Sequence, residues 1–461
     1  MSTPYWVQDA IFYQIFPDRF ANGDTTNDPS NLQKWGTPPT IWGFQGGDLR
    51  GILQHLDYLL DLGVTALYLN PIFLASSNHR YNTTDYFQID PRLGSLADFH
   101  SLVEALHKNN LRIILDGVFN HCGRGFFPFT DVLENGERSE YKDWFYIKQF
   151  PLDAYGDNEA NYQGWWNHKS LPKLNIGNPA VRKYILNVAR YWINQGADGW
   201  RLDVPNEIDD HRFWEEFRGV VKSANRDAYL TGEIWDVNPR WANDTHFDGL
   251  MNYPVKDALA ALLQGHENAY QFGDRIDNIF RSYARENMFA MYVPLDSHDT
   301  ERFKTLVGRD TKKLKLAFMF QMAFPGAPAI YYGDEIGMEG EKDPDSRRAF
   351  PWRESNWDQG LRQWVKTLIS LRKRIPSLRR GDYVRLLTED GFFAFGRTLG
   401  EQNVLIALNV SGSSRRIEVP CSALHWSDGR PVQSLMDGQK CTVAGGKIPV
   451  TLSPWTGAWF V

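Results

Sequence analysis

The sequence predicts an α/β protein: a (β/α)8 TIM barrel with an inserted subdomain after strand 3 and a C-terminal antiparallel β-sandwich domain. Three observations support this fold class. The chain has 461 residues, enough for a barrel of about 250 residues or more with smaller attached units. Short apolar β-rich runs alternate with helical patterns along most of the chain, as in parallel βα units. Towards the C-terminus the helical patterns stop, and short alternating segments separated by glycine turns follow.

Eight segments have the length and composition of buried parallel strands. They are residues 10–16, 64–69, 112–118, 198–203, 228–233, 249–253, 291–296 and 327–331. Helical patterns separate most of them, for example at 49–62, 96–109, 179–195 and 314–324. Eight parallel strands with intervening helices close into a barrel.

One connection of the predicted barrel, from residue 121 to 178, is far longer than an ordinary loop and is rich in aromatic residues. Connections of that length are usually functional or form a small domain. We therefore predict a subdomain B that overhangs the barrel mouth. The predicted domains are the first part of the barrel at 1–120, the subdomain at 121–178, the second part of the barrel at 179–378 and the β domain at 379–461.

Composition argues against several classes of protein. The net charge of −6 disfavours a nucleic-acid-binding protein. No uncharged apolar run reaches the ~18 residues of a membrane span, and the N-terminus lacks the features of a signal peptide. Three cysteines cannot form a disulfide framework, and the motifs of nucleotide-binding loops, zinc proteases and serine hydrolases are missing. We expect a cytoplasmic protein without nucleic-acid or membrane partners.

Polar clusters follow four of the predicted strands. They are DGVFNH at 116–121, GWRLDVPNE at 199–207, GEIW at 232–235 and DSHD at 296–299. A single carboxylate at a strand end is more often a helix cap or a loop hydrogen-bonding group. The active site of a barrel lies at the C-terminal ends of its strands, so four clusters on one rim indicate catalysis.

The spacing of Arg201, Asp203 and Glu233 carries chemical information. Side chains alternate along a strand, so Arg201 and Asp203 point to the same side, where the guanidinium favours an ionised aspartate. Neighbouring strands lie ~4.8 Å apart, which lets Asp203 and Glu233 place their carboxyl groups ~5–5.5 Å apart, as in retaining glycosidases. An inverting enzyme needs roughly 6.5 Å or more, so the spacing predicts retention.

These clusters closely resemble the motifs of the α-amylase family, glycoside hydrolase family 13. GGDLRG at 46–51 and GAPAIYYGDEIG at 326–337 match it as well. The resemblance implies that Asp203 is the nucleophile, Glu233 the general acid/base, and Asp299 the carboxylate that holds two sugar hydroxyls. It also implies structural roles for Asp116 and Asn120. Further residues that it places around the same sugar are Tyr81, His121, Arg201 and His298.

Within the family, the segments at 171–175, 251–254 and 343–347 resemble the neopullulanase, cyclomaltodextrinase and maltogenic-amylase group. That likeness implies that Asp343 and Arg347 bind the non-reducing-end sugar, with a structural salt bridge as the alternative. It implies that Glu207 influences transfer to sugar acceptors, and that Trp235 lies on the leaving-group side.

Members of this group usually carry an N-terminal β domain through which they dimerise. The first predicted strand here begins at residue 10, as in the short, debranching-type members from cyanobacteria. We therefore expect a more open cleft, and either a monomer or a homodimer.

An oxygen-rich loop matches a calcium loop of the same group. The candidate ligands are Asn22, Asp24, Asn27, Asp28, Gly46 and Asp48. Carboxylates and carbonyls suit a hard cation, and we expect a structural Ca²⁺. The alternative is a polar loop tied together by Asx turns. Catalysis in this family needs no metal.

The sequence thus predicts a retaining α-glucan hydrolase that cleaves α-1,4 bonds in maltooligosaccharides, cyclodextrins or pullulan, with α-1,6 cleavage left open. A 4-α-glucanotransferase would use the same residues and differ only in the acceptor. A more remote alternative is a non-catalytic glucan-binding barrel.

Overall fold

The computed structural model describes residues 3–461. The strands of the catalytic part are β1 (Phe12–Ile15), β2 (Ala66–Leu69), β3 (Phe73–Ala75), β4 (Thr83–Ile89), β5 (Arg112–Gly117), β6 (Gly199–Leu202), β7 (Tyr229–Gly232), β8 (Gly249–Leu250), β9 (Tyr292–Pro294) and β10 (Ala327–Tyr331). Eight of them form a parallel sheet in the order β8-β7-β6-β5-β2-β1-β10-β9. A parallel bridge between Met251 and Tyr292 joins the two ends of the sheet. The predicted barrel and all eight of its strands are confirmed.

Helices surround the sheet. They are α1 (Pro17–Phe20), α2 (Leu49–Gln54), α3 (Leu56–Leu62), α4 (Leu96–Lys108), α5 (Phe127–Asn135), α6 (Pro179–Asn194), α7 (His211–Ala224), α8 (Tyr253–Gln264), α9 (Ala269–Arg281), α10 (Arg285–Met288), α11 (Phe303–Leu306), α12 (Thr311–Ala323), α13 (Gln359–Arg374) and α14 (Pro376–Arg380). Local sequence explains several starts: Ser95 and Asp98 form a capping box on α4, and Asp210 caps α7.

The single helix predicted at 49–62 is in fact two helices. The break is at His55, whose backbone lies outside the helical region and whose ring stacks on Trp352 at a centroid distance of 3.5 Å. The helical periodicity of residues 49–62 gives no sign of this break, which coincides with the contact between His55 and Trp352.

The antiparallel hairpin β3–β4 was not predicted. Its register shifts on both sides of Leu74, so the strict alternation by which a strand is recognised is broken. The turn between these strands carries Tyr81, and the hairpin therefore supports part of the site.

The segment 121–178 is held together by isolated bridges between its own residues and forms no sheet of its own. His121 pairs with Lys173, and Phe145 pairs with Leu174. Its small core includes the ring of Phe129, which lies 5.0 Å from Phe145 in an edge contact. This compact insertion contributes residues to the barrel mouth.

The C-terminal region is antiparallel. It contains β11 (Asp382–Glu389), β12 (Phe392–Thr398), β13 (Val404–Asn409), β14 (Arg415–Pro420), β15 (Pro431–Gln433), β16 (Lys440–Thr442), β17 (Lys447–Leu452) and β18 (Thr456–Phe460). β11, β12, β13 and β18 form one sheet, and two strand pairs complete the domain around their own apolar core. Strands β15 to β17 were not predicted, because the first two are short and their neighbourhood is polar and glycine-rich.

The barrel interior is divided into an aromatic end and a polar end. Phe12, Tyr229 and Tyr292 pack together near the N-terminal ends of their strands, with Phe12 5.8 Å and 5.3 Å from the other two rings. At the opposite end Asp116 is paired in register with Arg201 across β5 and β6. The polar groups therefore converge where a barrel enzyme binds its substrate.

No helix in the described part of the chain is long and apolar enough to cross a membrane.

Candidate active site

Arg201 lies at the centre of the site and contacts three carboxyl groups. Its Nη1 donates to Asp116 Oδ1 and to Asp203 Oδ1, each at 2.8 Å, and its Nη2 lies 2.8 Å from Glu233 Oε1. All four side chains are almost completely buried. One planar guanidinium thus brings the predicted nucleophile and the predicted acid/base together in one buried cluster.

The backbone after Asp203 also contacts Glu233. Val204 has φ 35° and ψ 51°, a left-handed conformation that is unfavourable for a β-branched residue. In this conformation its N–H donates to Glu233 Oε2 at 3.1 Å. Strained backbone of this kind persists where the surroundings fix it, typically at functional sites.

Three carboxyl groups share a single cation, and burial raises the pKa of each of them. Burial raises the pKa of Glu233 to about 7, although the Arg201 guanidinium opposes the shift. Burial likewise raises the pKa of Asp203 well above its usual range, and the neighbouring Glu233 adds to the effect. Arg201 does lower the pKa of Asp203, as the sequence suggested, but burial outweighs it. Because the two acids interact, they titrate as a pair, and a proton held on Glu233 favours the ionised form of Asp203.

His298 is a fully buried neutral imidazole, because burial holds its pKa well below the usual value. Gln14 Nε2 lies 3.0 Å from its Nδ1, which assigns the ring proton to Nε2. That nitrogen lies 3.0 Å from Asp299 Oδ2 and 2.5 Å from Tyr81 Oη. The Tyr81 hydroxyl accepts from that nitrogen and donates its own proton to Asp116 Oδ2 at 2.8 Å. The predicted substrate residues therefore form one connected network.

Asp299 is the most exposed of the three predicted catalytic carboxylates, with 33% of its side chain accessible. Its other oxygen lies 3.3 Å from Arg347 Nη2. Arg347 in turn lies 3.1 Å from Asp343 Oδ1 and donates to the carbonyl of His298 at 2.9 Å. The predicted pair Asp343–Arg347 is thus adjacent to the pocket, at its rim.

His121 is a second buried histidine of the predicted site. Burial lowers its pKa to about 3, so the ring is neutral, and its Nε2 has no hydrogen-bond partner in the structure. The ring lies against Trp165 of the inserted segment. A buried polar atom without a partner is suited to a sugar hydroxyl.

Glu207 and Trp235 lie at the outer edge. Glu207 has 38% of its side chain exposed, and its Oε2 is 3.8 Å from Lys173 Nζ. Trp235 is 42% exposed and stacks on Tyr253 with a centroid distance of 4.0 Å. Both therefore face the mouth rather than the buried acids.

Sequence reasoning missed two residues of the site. Gln14 orients His298, and Lys173 donates to Asn120 Oδ1 and to the carbonyl of Glu207, both at 2.7 Å. The sequence did mark both positions, since Gln14 is a polar residue within an apolar strand and Lys173 lies in the segment 171–175 that resembles the neopullulanase group. Neither signal specified a partner.

The predicted calcium ligands lie together, but several of their oxygens are already hydrogen-bonded. Asp48 accepts four N–H groups, including the backbone N–H of Gly51, whose helix it caps. Asp24 pairs with Arg50. By contrast, the side-chain oxygens of Asn22 and Asn27 are buried without partners. Across residues 3–461 no group of three or more His, Cys, Asp or Glu residues could hold a metal ion.

Comparison with known proteins agrees with this geometry. Residues 14–376 match the family described as Alpha amylase, catalytic domain, and residues 383–459 match Neopullulanase-like, C-terminal domain. A cyclomaltodextrinase from Geobacillus thermopakistaniensis is 44% identical over 98% of this chain and 76% of its own length.

Two solved structures are also similar over essentially the whole of both chains. A cyclic alpha-maltosyl-(1→6)-maltose hydrolase from Arthrobacter globiformis is 37% identical, with a TM-score of 0.92 and full coverage of both chains. A debranching enzyme from Nostoc punctiforme is 40% identical, with a TM-score of 0.90, and covers 100% of this chain and 99% of its own. With its barrel, its buried acid cluster and these matches, the chain belongs to the α-amylase family of glycoside hydrolases, in the neopullulanase- and cyclomaltodextrinase-like group.

Proposed function

We propose that the protein is a retaining α-glucan hydrolase that acts through a covalent glycosyl-enzyme intermediate. The observation that carries the proposal is the contact of one guanidinium, that of Arg201, with both Asp203 and Glu233 at 2.8 Å. The two acids also follow directly after neighbouring residues of adjacent parallel strands, an arrangement that favours the ~5–5.5 Å carboxyl separation of retaining enzymes over the wider one of inverting enzymes.

In the first step an oxygen of ionised Asp203 attacks the anomeric carbon. The bond from that carbon to the glycosidic oxygen breaks, and protonated Glu233 gives its proton to the leaving oxygen. The raised pKa of Glu233, about 7, keeps this proton available near neutral pH. Arg201 and the Val204 N–H hold the two acids in position.

In the second step ionised Glu233 takes a proton from water. The water oxygen bonds to the anomeric carbon as the ester bond to Asp203 breaks, which restores both acids and inverts the carbon a second time. His298, Asp299 and Tyr81 surround the same sugar and exclude bulk water from it.

The substrates we propose are maltooligosaccharides and related glucans with α-1,4 and α-1,6 bonds. The similar proteins named above include a cyclomaltodextrinase, a hydrolase of a cyclic (1→6)-linked maltosyl-maltose and a debranching enzyme, which supports both bond types. Digestion of pullulan distinguishes the two activities, since panose reports α-1,4 cleavage and maltotriose reports α-1,6 cleavage. If the protein cleaves none of pullulan, β-cyclodextrin, maltotriose and starch, the proposed hydrolase activity is refuted.

The stereochemistry tests the mechanism. Proton NMR during the first minutes of hydrolysis should show the newly formed reducing ends in the α configuration. Initial release of β-configured ends would identify an inverting enzyme and contradict the nucleophilic role of Asp203.

Transfer to a sugar acceptor remains the second candidate activity. The exposed Trp235, stacked on Tyr253, supports it because an aromatic face beside the pocket favours a sugar acceptor over water. At high maltotriose concentration, products longer than maltotriose would demonstrate transfer. Smaller sugars alone would show that hydrolysis dominates.

We also propose that the loop around Asn22 and Asn27 binds a structural Ca²⁺. Their two unpartnered buried oxygens are donors that a hard cation prefers, and Asp28 lies beside Asn22. EGTA should lower the melting temperature and added Ca²⁺ should restore it, whereas Asp28→Ala should abolish the response. An unchanged melting temperature together with no calcium by elemental analysis would refute the site.

We propose that the enzyme works in the cytoplasm as a monomer or homodimer. Its three cysteines, Cys122, Cys421 and Cys441, are free thiols, which fits a reducing compartment. Light scattering after gel filtration determines the oligomeric state, and an assembly larger than a dimer would contradict this proposal.

A further inference from the structure

Of the tryptophans in residues 3–461, three have at least 36% of their surface exposed: Trp42 at 78%, Trp166 at 73% and Trp235 at 42%. A single exposed aromatic ring needs no explanation, whereas an exposed ring that continues a row of stacked rings can mark a binding surface. Trp235 borders the acid pocket, and its position is explained by the proposed reaction. Trp166 lies in the inserted segment and has no role in that reaction.

Trp166 is the outer member of a stack of three rings. The buried ring of His121 lies 5.3 Å from that of Trp165 with an interplanar angle of 24°, and Trp165 lies 4.8 Å from Trp166 at 11°. The stack therefore runs from His121, a buried residue of the predicted sugar site, to the protein surface. One face of the Trp166 indole is covered by Trp165, and most of the remainder is open to solvent.

The backbone holds this indole in place. Trp166 and Asn167 have φ values of 48° and 62°, two consecutive non-glycine residues in the left-handed region. Backbone hydrogen bonds close the turn on both sides, from Asn167 to Gly164 at 3.2 Å and from His168 to Trp165 at 2.9 Å. Unfavourable backbone geometry that presents a large apolar ring to water indicates a binding role.

We propose that Trp165 and Trp166 form an outer glucan-binding platform on which a glucose unit of the substrate chain stacks. This proposal rests on the proposed α-glucan hydrolase activity. It adds that the enzyme binds a glucose unit of the substrate outside the catalytic site. The C–H face of a pyranose is apolar and fits the flat indole of Trp166. The Nε1 of Trp165 is buried without a hydrogen-bond partner and can donate to a sugar hydroxyl.

The position of the platform determines which lengths of glucan chain can contact it. Because Trp166 is separated from His121 by a whole indole, a sugar stacked on it lies outside the catalytic pocket. A glucan long enough to fill the pocket and reach the platform gains this contact, whereas a short one does not. The platform therefore favours long or branched chains over maltotriose.

The test measures binding without turnover. In an Asp203→Asn background, calorimetric titration with maltoheptaose should show that Trp166→Ala weakens affinity about tenfold, the equivalent of one well-made aromatic contact. Affinity for maltotriose should change much less, and Trp166→Phe should recover part of the loss.

Tyr155→Ala is the matched control, since Tyr155 lies in the same segment with the same 73% exposure but contacts Arg124 rather than the stack. It should bind maltoheptaose like the parent. Unchanged maltoheptaose affinity in Trp166→Ala, with or without a lower melting temperature, would overturn the platform, and so would equal losses for the two sugars or an equal loss in the Tyr155 variant. A wild type that cleaves no α-glucan would instead refute the proposed activity, whatever the binding data show.

Discussion

Replacing Glu233 by glutamine should abolish hydrolysis and at the same time stabilise the fold at alkaline pH. Burial raises the pKa of Glu233 from 4.5 to about 7. Between these two pH values the folded protein binds more protons than the unfolded chain, so its stability falls as the pH rises. One pKa unit corresponds to about 1.4 kcal/mol, so ionising Glu233 costs the folded state about 3 kcal/mol by pH 8.

Glutamine has nearly the shape of protonated glutamate and cannot ionise. Urea unfolding followed by tryptophan fluorescence should therefore show similar stability for Glu233→Gln and wild type at pH 4.5. At pH 8 the variant should be more stable by up to about 3 kcal/mol. Glu134→Gln alters an exposed glutamate and should change neither value.

Two results would refute this reasoning. If Glu233→Gln were less stable than wild type at pH 8, the buried carboxylate would be stabilising rather than costly. If the difference between the two proteins were the same at pH 4.5 and pH 8, the stability effect would not arise from ionisation.

Three further predictions concern the acid cluster. Asp203→Asn should lower kcat by at least about 10⁴-fold with an unchanged circular dichroism spectrum, and near-normal activity would remove its role as nucleophile. Arg201→Lys keeps the charge but loses the planar fork, and we expect kcat/KM to fall about 10²- to 10³-fold. Arg372→Lys, at a buried arginine that donates to the carbonyls of Met322 and Gly326, should reduce stability but not kcat/KM. Equal activity losses in both variants would mean that Arg201 acts only through folding. The profile of kcat/KM against pH should fall on the alkaline side near pH 7, as Glu233 loses its proton, and a flat profile would contradict that role.

Sequence predicted the barrel because its strands are short apolar runs that need little context to recognise. It predicted the acid cluster because Arg201 lies on β6 while Asp203 and Glu233 follow directly after the adjacent strands β6 and β7, where alternation and strand spacing fix their relative positions. The matched motifs added Asp299 and His298, and the structure places His298 in contact with both Asp299 and Tyr81.

What sequence could not predict depends on contacts between distant residues. Gln14 and His298 are separated by 284 positions, and nothing local pairs them. The stack of His121 on Trp165 depends on how the inserted segment folds back over the barrel. The pKa of Asp203 rises because burial outweighs the contact with Arg201, and the degree of burial is a property of the whole fold.

The covalent intermediate is the central claim, and trapping it is the most direct test. Fluoride leaves without a proton, so Glu233→Gln should still form the intermediate from α-maltotriosyl fluoride but should hydrolyse it slowly for want of a general base. Mass spectrometry of a protease digest should then find maltotriose esterified to the peptide that contains Asp203, and to no other. Release of fluoride without an adduct, with β-configured maltotriose as the first product, would contradict the account.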